Sequence, residues 1–234
     1  MNIGEHLALV RARVSAAARR AGRNPDDIAL MAVCKTFPAD AILAAYAAGQ
    51  RLFGENKVQE FADKFPQLTA LTDARFHMIG HLQSNKTAKA AEIFHGVDSL
   101  DSARLAQRLN DAAQKLGRTL DVLLEINIGG EDAKSGLAPD SPEIEAILGQ
   151  APRWPHLRIS GLMTVPPFTE DPEGARPYFR QLRELRDQLV AQRFPNATLD
   201  ILSMGMSHDF EVAIEEGSTC VRIGTAIFGE RDYA

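Results

Sequence analysis

Short apolar runs alternate with amphipathic stretches along the whole chain. The first run, at 28–35, is continuously apolar up to Cys34, which is typical of a strand buried on both faces. Comparable runs follow at 51–56, 76–80, 96–100, 120–127, 159–165, 199–204 and 219–224. Strict alternation of such strands with helices predicts a parallel sheet that is covered by helices.

The stretches between the apolar runs have the spacing of amphipathic helices. We predict helices over 2–22, 38–49, 58–65, 84–94, 101–117, 142–148, 178–190 and 207–216. Eight strand–helix units in 234 residues favour an α/β fold with one domain over 1–234. That fold is a (β/α)8 barrel of the TIM type with an extra N-terminal helix. An open doubly wound sheet is the alternative, because strands are counted inexactly from one sequence.

Composition and charge exclude several classes of function. The net charge of −5 gives no electrostatic case for binding nucleic acid or an anionic membrane. Neither a signal peptide nor a membrane span is visible, so we expect a cytoplasmic protein. Cys34 and Cys220 lack metal-ligand spacing, and strand alternation places them on opposite sides of the barrel wall. We therefore expect neither a metal site nor a disulfide between them.

Basic residues stand at the ends of two predicted strands, where barrels of this kind have their active sites. Lys35 ends the first strand and Arg222 lies near the end of the eighth, and barrel closure makes these strands neighbours. A lone lysine in such a place more often extends its amine to the rim. The alternative is an amine used in a Schiff base. Two adjacent cations would lower the pKa of the lysine and would need an anion nearby.

The loops after the seventh and eighth strands offer a site for that anion. Ser207 begins the predicted helix after the seventh strand, and Gly224 and Thr225 follow the eighth, where this fold often holds phosphate. Alternatively, Ser207 only caps its helix and Gly224 only makes a turn. A phosphate and an amine-reactive carbonyl in one small molecule indicate pyridoxal 5′-phosphate (PLP). Arg222 would then face the pyridine nitrogen and keep it unprotonated, which weakens the ring as an electron sink.

Six motifs in order resemble the pyridoxal phosphate homeostasis protein family, whose fold is similar to the N-terminal barrel of alanine racemase. They are Ala-Val-Cys-Lys at 32–35, Phe-Gly-Glu-Asn at 53–56, His-Met-Ile-Gly-His-Leu-Gln-Ser-Asn-Lys at 77–86, Gly-Leu-Met at 161–163, Ser-Met-Gly-Met-Ser at 203–207 and Val-Arg-Ile-Gly-Thr-Ala-Ile-Phe-Gly at 221–229. The resemblance implies that Lys35 holds the cofactor, with Asn56 near the ring and Arg222 at its nitrogen. It further implies a phosphate site of Ser207, Gly224 and Thr225. Lys134 lies in a Lys-Ser-Gly stretch like one in the family and is either a secondary contact or a solvated loop lysine.

Two functions remain open: a carrier that holds PLP as a Schiff base on Lys35 and buffers or delivers it, as the family resemblance implies, and an amino-acid racemase. A two-base racemase needs a second acid or base, which in alanine racemase is a tyrosine of a second domain. This sequence ends without such a domain, Tyr46 and Tyr178 fall in predicted helices, and Tyr233 is in the tail. His81 at a strand end is the remaining candidate base. We therefore expect a non-catalytic, monomeric carrier, which meets apo PLP enzymes only transiently.

Overall fold

The computed structural model describes residues 2–131 and 135–230 and shows a closed barrel of eight parallel strands in chain order. The strands are β1 (Ala29–Val33), β2 (Leu52–Glu55), β3 (Arg75–Met78), β4 (Gly96–Leu100), β5 (Leu120–Glu125), β6 (Leu157–Met163), β7 (Ala197–Ser203) and β8 (Cys220–Ile223). The α-helices of the described residues are α1 (Ile3–Arg20), α2 (Ala39–Ala47), α3 (Val58–Lys64), α4 (Thr87–Ile93), α5 (Ala103–Lys115), α6 (Pro142–Gln150), α7 (Arg176–Gln192), α8 (Phe210–Glu215) and α9 (Thr225–Phe228). The predicted barrel and its extra N-terminal helix are confirmed. No helix in these two ranges has the length and apolar character to cross a bilayer.

The pairing of β1 with β8 closes the barrel. Met31 lies opposite Arg222 in this pair, and Ala29 lies opposite Cys220. Cys220 lines a cavity of about 110 Å³ inside the barrel, whereas Cys34 belongs to the apolar layer between strands and helices. Both cysteines are free and lie on opposite sides of the wall, as strand alternation predicts. β1 ends at Val33, two residues earlier than predicted.

A cluster of buried phenylalanines holds α3 against the barrel. The Phe61 ring on α3 lies 4.8 Å from that of Phe76 on β3 and 4.7 Å from that of Phe94, which follows α4. Phe53 on β2 stacks on Phe76 at 5.4 Å, and all four rings are buried. Burying one such side chain stabilises the fold by about 2–3 kcal/mol. The cluster therefore fixes the position of α3 relative to the ends of the first two strands.

The first helix covers the outside of the barrel near its last strand. Asn2 and Glu5 form a capping box at its start, which satisfies two N–H groups of the first turn. Leu7 and Val10 are buried on its inner face. The His6 Nδ1 atom lies 3.0 Å from the carbonyl oxygen of Ile227 in α9. This contact ties α1 to the short helix that follows β8.

His95 joins three strands through hydrogen bonds and is held neutral. Its Nδ1 atom accepts a hydrogen bond of 3.1 Å from the Phe76 N–H, and its carbonyl oxygen accepts one of 3.1 Å from the Asp121 N–H. Burial lowers the pKa of His95 to about 4, and the charges of Arg118 and Arg75 act in the same direction. A proton on this ring would remove an acceptor and add an unfavourable charge.

We expect the His95→Asn substitution to remove part of the pH dependence of the unfolding free energy. Between about pH 6.5 and about pH 4 the unfolded chain protonates His95 and the folded protein does not. Wild-type stability should therefore fall as the pH drops through this window, by about 1–2 kcal/mol, since the ring keeps some contact with water.

Urea titrations of wild type and variant across this window measure the effect, because the asparagine Oδ1 atom replaces the acceptor without titrating. The stability advantage of the wild type over His95→Asn should shrink at the acidic end. His81→Asn is the control, since the His81 side chain is 58% exposed. Parallel pH profiles of wild type and His95→Asn would contradict the assignment of a neutral, buried ring.

Candidate functional site

A cavity of about 400 Å³ opens at the C-terminal ends of the strands. All six site residues predicted from the sequence line it, namely Lys35, Asn56, Ser207, Arg222, Gly224 and Thr225. The remaining lining residues, which were not among the predicted site residues, are Val33, Phe37, Ile79, Gly80, Val165, Met206 and His208. The lining therefore combines apolar side chains with two basic side chains, two hydroxyl groups, an amide and an imidazole.

Lys35 is presented by a tight turn rather than by the strand itself. The Phe37 N–H donates a hydrogen bond of 3.2 Å to the Cys34 carbonyl oxygen and closes the turn, in which Lys35 and Thr36 are the central residues. Lys35 is half-buried. The ring of Phe37 stacks on that of Phe228 in α9, with centroids 5.0 Å apart. This stacking ties the turn after β1 to the helix after β8.

Arg222 is a buried cation whose direct partners are neutral. One of its terminal nitrogens donates to the Ser203 Oγ atom and the other to the Thr164 carbonyl oxygen, both over 2.7 Å. Burial lowers the pKa of the guanidinium. An arginine nevertheless keeps its proton in a folded protein. The cavity therefore contains a fixed positive charge that favours an anion or an electron pair.

The two loops of the predicted phosphate site meet, but the helix after β7 starts later than predicted. The helix was expected over 207–216, and α8 begins only at Phe210. The Asp209 carboxylate accepts a hydrogen bond of 2.7 Å from the Met206 N–H, so the chain turns before the helix begins. Ser207 is therefore not the first residue of a helix. Its Oγ atom instead accepts a hydrogen bond of 3.4 Å from the Gly224 N–H.

Asn56 supplies a buried oxygen that no described residue satisfies. Its Oδ1 atom is inaccessible to solvent and has no hydrogen-bond partner there. An unsatisfied buried acceptor costs about 1–3 kcal/mol, and each such atom in a native structure needs an explanation. A polar ligand in the cavity that Asn56 lines provides such an explanation. The residues present therefore fit a small ligand with both charged and polar groups.

Several other candidates from the sequence lie away from the cavity. The His81 Nδ1 atom is 3.5 Å from an Asp101 carboxylate oxygen on the exposed rim. The Tyr46 hydroxyl donates to Asp73 on the outside of the barrel, and Tyr178 lies in α7. Lys134 and Tyr233 fall outside the described residues.

Among the lining residues that were not predicted, His208 has the side chain best suited to acid–base chemistry. Its Nε2 atom lies 3.0 Å from the Glu170 carbonyl oxygen, and its ring is 5.5 Å from the exposed ring of Phe168. The sequence did offer a signal for this residue, because it directly follows Ser207 in the loop after the seventh strand. The described lining contains no carboxylate, so the imidazole of His208 and the amine of Lys35 are its candidates for a general acid or base.

Two curated proteins match this chain over essentially its whole length. Residues 6–232 match the family model described as alanine racemase, N-terminal domain. The chain is 46% identical over 233 residues to the pyridoxal phosphate homeostasis protein of Aquifex aeolicus, with 100% of both chains covered. It is also 46% identical to the protein of that name from Escherichia coli, covering 100% of this chain and 98% of that protein. The chain belongs to the pyridoxal phosphate homeostasis protein family.

Solved structures agree with this family assignment. PipY of Synechococcus elongatus, solved with PLP bound, is 39% identical and superimposes with a TM-score of 0.84 over 97% of this chain and 100% of that one. An alanine racemase of Clostridium difficile superimposes with a TM-score of 0.71. At 16% identity that likeness shows the fold alone, and this chain covers 57% of that racemase.

We expect Gly80→Ala to destabilise the part of the cavity wall that contains Gly80 and Asn56. A Cβ atom at Gly80 would lie 2.4 Å from the Asn56 carbonyl oxygen, so the backbone that carries Asn56 would have to move. The unfolding free energy should fall by about 1–3 kcal/mol.

Chemical denaturation checks this expectation. Gly149→Ala is the matched control, because no atom lies within 4 Å of a Cβ built there and the position is helical. It should be neutral or stabilising by up to about 1 kcal/mol. Equal denaturation midpoints for the two variants would show that the close approach of Gly80 and Asn56 is not a constraint.

Proposed function

We propose that this protein binds pyridoxal 5′-phosphate in the cavity at the C-terminal ends of its strands and buffers or delivers it. The observation that carries the proposal is the convergence of Lys35, Arg222 and the two loops that contain Ser207 and Gly224 on one cavity of about 400 Å³. That volume falls in the usual range for small-molecule sites. The PLP-bound structure of PipY supports the same ligand class.

Each of the six predicted site residues has a role that its chemistry suits. The Lys35 amine attacks the aldehyde carbon, and the Schiff base forms as the aldehyde oxygen leaves as water. Arg222 faces the pyridine nitrogen, and its charge keeps that nitrogen unprotonated. Ser207 and Thr225 offer hydroxyl groups to the phosphate, and Gly224 offers its backbone. Asn56 lies beside the ring, where the ligand satisfies its buried amide oxygen.

The proposed role is that of a carrier rather than an enzyme. An unprotonated pyridine nitrogen is a poor electron sink, which disfavours reactions that pass through a carbanion. Neither Tyr46 nor Tyr178 lines the cavity. We further propose that the protein acts as a cytoplasmic monomer, without nucleic acid or membrane partners. Apo forms of PLP-dependent enzymes would be its transient partners.

One observation favours the second candidate function, an amino-acid racemase. His208 lines the cavity together with Lys35 and would be the second base. Its Nε2 atom is held by the Glu170 carbonyl oxygen, which restrains the ring. A racemase reaction needs a base that is positioned on the reacting carbon, and the restrained ring makes this the weaker proposal.

We expect Lys35→Ala to abolish the absorbance band of the Schiff base and the mass adduct that borohydride reduction leaves on the wild type. Lys35→Arg is the matched control, because it keeps the positive charge but cannot form a Schiff base. Both variants should lose the adduct, and Lys35→Arg should retain more of the non-covalent affinity. A reduced adduct that persists on another lysine, such as Lys134, would show that the site is misassigned.

We expect the PLP-loaded protein to show no racemisation of L- or D-alanine above the rate of free PLP. Chiral chromatography after long incubation measures the enantiomer ratio. Turnover that His208→Gln removes, while PLP binding persists, would instead establish the racemase.

A further inference from the structure

Two side chains of α3 hold the backbone on either side of Lys35. The Glu60 Oε1 atom accepts a hydrogen bond of 2.6 Å from the Thr36 N–H. The Lys64 Nζ atom lies 3.4 Å from the Cys34 carbonyl oxygen, on the other side of Lys35. Glu60 and Lys64 also pair with each other over 3.1 Å, so they form one unit beneath the turn.

The turn that they hold contains a strained residue. Thr36 has a φ of 69°, in the left-handed region that β-branched residues avoid. It is the third residue of the turn closed by Phe37, a position where a positive φ normally selects glycine. Such a conformation persists only where the surroundings enforce it. The charge-assisted hydrogen bond from the Thr36 N–H to Glu60 is a contact of that kind.

Lys64 is anchored in turn by a carboxylate inside the protein. Its Nζ atom lies 2.8 Å from Oε1 of Glu55, whose side chain is fully buried at the end of β2. The same Glu55 oxygen accepts the Cys34 thiol hydrogen over 3.4 Å. Burial acts against the charge of Lys64, but the hydrogen bonds that it donates to Glu55 and Glu60 outweigh burial and raise its pKa. Lys64 is therefore a permanent cation that ties α3, β2 and the turn together.

We propose that Glu60 and Lys64 are positioning residues, which aim the Lys35 amine into the cavity by holding Thr36 in its left-handed conformation. This inference rests on the proposed role of Lys35. Neither residue lines the cavity, so they act on the amine through the backbone and not on the phosphate or the ring.

The test compares covalent with non-covalent binding in the full-length protein. Glu60→Ala should slow formation of the Schiff base and weaken PLP binding by about ten- to a hundredfold, because small misplacements of a reacting group have effects of that size. It should leave the affinity for pyridoxine 5′-phosphate, which has an alcohol in place of the aldehyde, within about twofold of wild type. Stopped-flow absorbance and calorimetry give the two readouts.

Three further variants separate positioning from a general loss of structure. Glu60→Gln keeps an acceptor for the Thr36 N–H and should recover part of the rate, whereas Asp63→Ala, an exposed carboxylate on the same helix, should resemble wild type. In a Thr36→Gly background, where a positive φ carries no steric penalty, the effect of Glu60→Ala should be smaller.

The inference would be overturned if Glu60→Ala lost affinity for PLP and for pyridoxine 5′-phosphate equally. It would also be overturned if Glu60→Ala behaved like Asp63→Ala. Peptide mapping of the reduced wild-type adduct keeps the two proposals apart. If the adduct maps to Lys35 and Glu60→Ala has no effect, only the positioning role is contradicted. If the wild-type adduct maps to a residue other than Lys35, the proposed function itself is contradicted.

Discussion

The parallel pairing of β1 with β8 is the contact on which the candidate site depends. It places Met31 opposite Arg222, so the guanidinium belongs to the layer of side chains below the one formed by Val33. Lys35 lies four residues beyond Met31, at most about 13 Å farther along the chain at 3.3 Å per residue. The lysine is therefore at the mouth of the cavity and the arginine at its floor. Both side chains line the same cavity, which is the arrangement that the proposed function requires.

Arg222 determines the electrostatics of the floor because its charge is balanced only from a distance. Its hydrogen bonds go to Ser203 and to the Thr164 carbonyl oxygen, both neutral. The carboxylates of Asp98 and Asp209 act on it through space. A ligand atom with an electron pair improves this balance, whereas a protonated ligand atom would add a second positive charge. The positive charge that favours binding of an unprotonated ring nitrogen thus disfavours the electron-sink chemistry of most PLP enzymes.

The sequence predicts the barrel and its inner face well because both follow from local periodicities. A period of two along β1 places Cys34 outside and Lys35 inside, whatever the exact end of the strand. The end itself was missed, since it depends on the left-handed turn at Thr36. The start of α8 was missed because Ser207 and Asp209 are equally good capping residues by type. Asp209 precedes the helix, and its carboxylate accepts from the Met206 N–H rather than from an N–H group of the helix. Contacts between α3 and the Lys35 turn depend on how the phenylalanine cluster seats that helix, which no local pattern encodes.

Under the proposed function, in which the protein both holds and releases its ligand, the place of Lys35 outside the sheet has a consequence. The last ladder bond of β1 is donated by the Cys34 N–H to the Gly54 carbonyl oxygen, over 3.0 Å. Beyond it, the turn is held by its own closing hydrogen bond, by Phe37 stacking on Phe228, and by Glu60 and Lys64. A segment held by a few contacts can open locally at a much smaller free-energy cost than a strand of the barrel. A lysine on a strand would be positioned as accurately, but release of the ligand from it would be coupled to the stability of the whole sheet.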